Sequence, residues 1–158
     1  MIELKDKKFL YTCLKQESVL TEGHQHVLYN TVVSSDITKR VKTLQDALFI
    51  VNPSEEVLNY LAIKFVDPVL RQAQKFVELS IIVAALNEGW TPNWDNSNEY
   101  KYWPWFYMRS GGFSFFGVYD LYSYSYTPSR LCFKTENLAK YAAITFVQEY
   151  SEFFLIQE

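Results

Sequence analysis

Between Trp90 and Phe133 the chain is broken repeatedly by Pro92, Pro104, Gly111, Gly112, Gly117 and Pro128. Proline removes a backbone donor and glycine weakens a helix, so a long helix is excluded here. What remains between the breakers is short and rich in aromatic residues: 100–108, 113–118, 121–126 and 130–133. These read as three or four strands of a small antiparallel sheet. Gly111-Gly112 suits a tight hairpin turn. Pro104 cannot donate to a ladder, which puts the first strand at an edge or gives it a break. In 121–126 tyrosine and serine alternate, so Tyr122, Tyr124 and Tyr126 share one face of an extended strand.

The flanks follow a different period. Thr43 with Asp46 three positions on resembles a capping box and opens a short helix to about Val51. Asn52-Pro53, followed by Glu55 and Glu56, reads as the start of a second helix with Val57, Leu58, Leu61 and Phe65 on one face. Asp67-Pro68 starts a third, on which Val69, Ala73, Phe76, Val77, Ser80 and Ala84 step at three and four. It ends at Asn87-Glu88-Gly89, where Gly89 can turn left-handed. Thr135 caps a final helix with an apolar stripe of Ala139, Ala142, Ala143, Phe146, Val147, Tyr150, Phe153 and Phe154. That helix is expected to cover the sheet.

The expected fold is therefore α+β. Three N-terminal helices occupy 36–89, the aromatic antiparallel sheet 90–134, and a C-terminal helix packed on it 135–158. Residues 1–35 read as two short strands or a loosely packed arm. At 158 residues without repeat or linker, a single domain is expected. The net charge of −3 offers no global attraction for nucleic acid or anionic lipid. Cys13 and Cys132 lie far apart in apolar surroundings and read as buried thiols in a reducing compartment. No h-region follows the mixed-charge start, and the apolar run 81–86 is too short to span a bilayer, so a cytoplasmic protein with no membrane partner is expected.

Four blocks carry a resemblance. Asn87-Glu88-Gly89-Trp90-Thr91-Pro92-Asn93-Trp94-Asp95 is followed by Tyr100-Lys101-Tyr102-Trp103-Pro104-Trp105-Phe106. Ser129-Arg130-Leu131-Cys132-Phe133-Lys134 leads into Leu138-Ala139-Lys140-Tyr141-Ala142, and Arg40-Val41-Lys42-Thr43-Leu44-Gln45-Asp46-Ala47 is a weaker fourth. Over residues 36–158 the chain resembles small uncharacterised proteins of Bacteroides-type gut bacteria and their phages. The resemblance implies a phage or prophage setting and carries no activity to transfer.

Of the 28 aromatic residues, 16 lie between Trp90 and Phe133, all four tryptophans included. That exceeds what one face of a small sheet can hide. Lys101, Arg109, Arg130 and Lys134 against Asp95, Glu99 and Asp120 make the segment 90–134 slightly positive. Tyr and Trp on a rigid sheet are what protein interfaces use as hot spots. Aromatics with interleaved cations also line single-stranded nucleic-acid grooves. The third reading is a core packed under the last helix. The expectation is a non-catalytic accessory protein that binds another protein, of host or phage, through Lys101, Trp103, Trp105, Arg109, Tyr122, Tyr124, Tyr126 and Arg130. Single-stranded DNA binding is the rival, and a homodimer through the same face a third reading. Arg130 is alternatively an anchor stacked on a core ring.

Other constellations have simpler readings. His24 and His26, with only Glu22 near, read as a polar turn and not a metal site. Residues 95–99 faintly resemble a calcium loop but lack its glycine and distal glutamate, so Asx-turns explain them. Ser114, Ser129 or Cys132 would need His24 or His26 as a base, and no nucleophile elbow is present. Glu55-Glu56 is explained by the helix N-terminus. No Walker A or G-x-G-x-x-G loop occurs. No enzyme activity, metal or cofactor is expected.

Overall fold

The computed structural model describes residues 35–109, 112–122 and 130–155. The chain divides into two compact units, residues 1–40 and 41–158. Of the first unit only 35–40 are described, with a one-turn helix α1 (Ile37–Arg40). The strands or arm expected over 1–35, with Cys13, His24 and His26, lie outside the described residues apart from Ser35.

The second unit is α+β. Helices α2 (Leu44–Val51), α3 (Glu55–Ala62) and α4 (Pro68–Asn87) precede a two-stranded antiparallel sheet of β1 (Lys101–Arg109) and β2 (Gly112–Leu121). Helices α5 (Glu136–Thr145) and α6 (Val147–Phe154) follow.

Local chemistry explains the helix starts. At α2 the Thr43 hydroxyl accepts from the Asp46 N–H at 3.2 Å, and the Asp46 carboxylate accepts from the Thr43 N–H at 2.9 Å. Aspartate thus completes the box in place of glutamate. Asp67 accepts from the Val69 and Leu70 N–H groups at 2.9 and 3.1 Å, with Pro68 opening α4. Thr135 caps α5 through the Leu138 N–H.

Asn52 departs from expectation. It ends α2 in the left-handed region (φ 48°) and donates its N–H to the Leu48 carbonyl, while Ser54 caps α3. Asparagine is suited to both roles, and Pro53 fits the link between them. At the other end of α3, the Gln74 amide donates to the carbonyls of Tyr60, Leu61 and Ile63, tying α3 to α4.

Helix α4 buries a face other than the expected one. Leu79, Ile82, Val83 and Leu86 are buried, whereas Val69, Ala73, Phe76 and Ala84 are exposed. Over 81–86 it is apolar on every side, so periodicity did not select a face there; of that run only Ala84 meets solvent. The left-handed exit is shared by Glu88 (φ 51°) and Gly89 (φ 81°).

The C-terminal helix is two helices. Phe146 leaves helical geometry (φ −111°, ψ 31°) yet is buried, so the chain bends over the core there. Helix α5 packs on both strands and α6 on α4 and β2. The Tyr141 hydroxyl donates to the Val41 carbonyl at 2.7 Å. Gln72 donates to the Phe153 carbonyl, and Lys75 pairs with Glu78 (2.9 Å) and Glu152 (2.8 Å), clamping α6 to α4.

Among the described residues the sheet has two strands, where three or four were expected. Residues 123–129 lie outside the described set, and Leu121 ends β2 where a new strand was expected to begin. The 130–133 segment forms a single bridge, in which Phe133 and Tyr102 exchange backbone hydrogen bonds at 3.1 and 2.7 Å. Pro104 does sit in an edge strand, as its missing N–H requires.

The anchor for all this is Asn87, 4 % exposed at the end of α4. Its amide N–H donates to the Cys132 carbonyl at 2.9 Å, and its amide oxygen accepts from the Lys134 N–H at 3.1 Å. Asn87→Ala should therefore cost about 2–4 kcal/mol in urea unfolding, because it orphans two backbone groups. Partial burial works to raise the Glu152 carboxyl, but hydrogen bonds from Lys75 and Gln148 outweigh it and hold the pKa below the ordinary value. A lowered carboxyl pKa contributes stability above the ordinary value, which is lost as pH falls through the lowered one. The melting-temperature gap between wild type and Glu152→Gln should thus be open at neutral pH and close below about pH 4.

Candidate functional site

The hairpin has two unlike faces. On one, Phe106 stacks on Phe113 (4.6 Å between centroids) and lies against Tyr150 (4.9 Å) and Phe154 (6.0 Å) of α6. Alternation along β1 then gives Trp103, Trp105, Tyr107 and Arg109 the other face. The register opposes Trp105 to Gly117 and Phe106 to Phe115, which leaves Phe116 as an extra residue in a β-bulge.

Near its base this second face is closed: Trp103 is buried, and Lys101 completely so. Further out it is open. Trp105 stacks on Tyr119 at 4.1 Å, Tyr107 meets Phe116 edge-on at 4.5 Å, and the Arg109 guanidinium lies 4.5 Å from the Tyr107 ring. Trp105, Tyr107, Phe116 and Tyr119 are each 38–47 % exposed. The rings stack on one another, so they are held in place while still meeting water.

Lys101 is the largest departure from the sequence reading, which made it a surface cation. Its ammonium donates to the carbonyls of Asn93 (2.7 Å), Asn96 (3.3 Å) and Glu99 (2.8 Å) and pairs with the Glu99 carboxylate at 3.3 Å. The Trp94 ring closes the cage at 5.6 Å. The same Glu99 carboxylate accepts from the Asn93 N–H. Asn93 and Asn96 each make an Asx-turn, accepting from the Asp95 and Asn98 N–H groups. Of the side chains that faintly resembled a calcium loop, Glu99 thus meets a tethered ammonium, and the loop's other contacts to it are backbone carbonyls.

The other expected site residues are dispersed. Tyr122 is half-buried, its hydroxyl donating to that of Tyr100 at 2.7 Å, with the rings 4.7 Å apart. Arg130 is exposed, so it is not the core-stacked anchor. Tyr124, Tyr126 and Ser129 lie outside the described residues. Ser114 is exposed, whereas Cys132 is buried and desolvation pushes its thiol up to about 11, far from a reactive thiolate. Among the described residues no group of three or more His, Cys, Asp or Glu could hold a metal ion, and no helix is long and apolar enough to cross a membrane.

The structure therefore brings together Trp105 and Arg109 of the expected set and adds Tyr107, Phe116 and Tyr119. The last two escaped notice because the bulge interrupts the period-2 pattern. Comparison with protein families, curated proteins and solved structures finds no match to this chain.

Lys101→Met keeps the stem but strips the cage of its charge: the Glu99 carbonyl loses its donor, and the Glu99 carboxylate and the Asn93 and Asn96 carbonyls keep only backbone N–H partners. The expected cost is about 3–5 kcal/mol in chemical denaturation. Lys101→Arg should not restore full stability, because a planar fork does not fit a cage built for a compact ammonium.

Proposed function

We propose that this chain is a non-catalytic accessory protein of phage or prophage type, working in the cytosol, that binds another protein through the open face of the β1–β2 hairpin. The observation that carries this reading is the exposed ring set of Trp105, Tyr107, Phe116 and Tyr119, with Arg109 at the margin. Pre-stacked rings lose little conformational freedom on docking, and aromatic and arginine side chains dominate interface energetics. Arg109 selects a partner with a carboxylate beside an apolar contact. The phage setting rests on the resemblance of residues 36–158.

A protein partner is favoured over single-stranded DNA on charge. With Lys101 enclosed and Lys134 paired to Glu88 at 3.2 Å, Arg109 and Arg130 remain of the four cations that made the segment locally positive. Asp120 is exposed against them.

The test is affinity capture from a host lysate at about 0.1 and 0.5 M salt, comparing wild type with Tyr107→Ser/Phe116→Ser. A specific protein retained by wild type at both salts and lost, at least tenfold, with the double variant is the expected result. Equal capture by the two proteins would sink the proposal. Tryptophan quenching by an oligonucleotide that fades steeply with salt would instead favour DNA. A doubled mass in light scattering, abolished by the same variant, would name a second copy as the occupant.

A further inference from the structure

On the side of β1 away from β2, among the described residues, only Tyr102 is paired, to Phe133. Beyond it Pro104 lacks an N–H, so this edge cannot continue as a full ladder. A cleft of about 410 Å³ is lined by β1 and by no residue of β2. β1 contributes residues 103–106 and Met108, Trp105 of the open face among them, and Phe76 of α4, Leu131 and the α6 residues Tyr150, Phe153 and Phe154 complete the lining. No charged side chain lines it. The volume falls within the roughly 300–1,000 Å³ of small-molecule pockets, which pair an apolar lining with few polar groups.

One polar group here is unexplained by the fold. Tyr150 is 2 % exposed, and its hydroxyl has no hydrogen-bond partner. Burial drives its pKa far above the phenol range, so it stays a neutral donor and acceptor. A buried hydroxyl left unpaired costs about 1–3 kcal/mol, and such groups are rare in native structures. Phenylalanine would fill the same space without that cost.

We propose that the cleft is a binding site for a small, flat, uncharged aromatic molecule carrying one hydrogen-bonding group, which pairs with the Tyr150 hydroxyl. Its rings lie against Trp103, Pro104 and Phe106. A charged molecule is disfavoured because nothing in the lining compensates its desolvation. The hydroxyl is covered when the cleft is empty, so occupancy requires a side-chain shift. Phe154, stacked on Tyr150 and 39 % exposed, is the ring placed to make it.

The test compares 1-naphthol with naphthalene, which share a ring system and differ by one hydroxyl, in ligand-observed NMR titrations of the full chain. 1-Naphthol should bind about tenfold more tightly. Tyr150→Phe should abolish that ratio while leaving naphthalene affinity unchanged. Without ligand, the same variant should melt no lower than wild type, since it loses only an unpartnered hydroxyl. Met108→Trp, at the exposed rim, should weaken both probes by narrowing the opening. Equal affinities in wild type, a ratio that survives in Tyr150→Phe, or no binding of either probe would overturn the proposal. Cleft occupancy and partner capture are read on separate variants, so failure of one leaves the other standing.

Discussion

A single carboxamide holds the second unit in register. Asn87 ends the longest helix and presents one donor and one acceptor to the backbone at Cys132 and Lys134. Between those two residues, Phe133 exchanges hydrogen bonds with Tyr102. The three-residue run 132–134 is thus gripped from both sides, by a helix end and by a strand. A side-chain amide is well matched to this task, since it offers the same groups as a peptide unit without requiring another strand. Without that grip the hairpin would rest on its side-chain contacts with α5 and α6 alone, and a two-stranded ribbon by itself is marginal in water.

The grip also explains why two stretches far apart in the sequence belong together. Asn87-Glu88-Gly89 and Leu131-Cys132-Phe133-Lys134 are two halves of one junction. The run from Asn93 to Lys101 is the ammonium cage. These residues build the platform on which the hairpin stands, and the exposed rings beyond Trp103 are what the platform displays. The most distinctive part of the sequence is therefore mostly architecture, while the part that meets solvent is composed of ordinary aromatic residues.

What could be read in advance divides along the range of the interactions. Thr43, Asp67 and Thr135 announce helices because a cap is settled within four residues. Asn52 was misassigned because it suits the end of one helix as well as the start of the next. The break at Phe146 carries no proline or glycine and is imposed by packing, so no local signal marks it. Trp105 and Arg109 stand on the open part of a face of β1, whereas Trp103 on the same alternation is closed off by tertiary packing that no strand period reports. The burial of Lys101 was not legible, because it depends on loop carbonyls that converge only once the Asx-turns form. The cleft depends on side chains from α4, β1 and α6 together with Leu131, a combination no window of sequence contains.

The bulge at Phe116 has a genetic consequence. Every other residue of β2 between Gly112 and Leu121 has a cross-strand counterpart, and Phe116 has none. Loss of its codon would close the ladder with all remaining pairs unchanged, surrendering only the local twist that the bulge supplies. Elsewhere in the hairpin the gain or loss of one codon would carry a run of side chains to the wrong face. Phe116 is the position at which a lineage could delete or acquire a contact ring in a single step without refolding the strand that bears it.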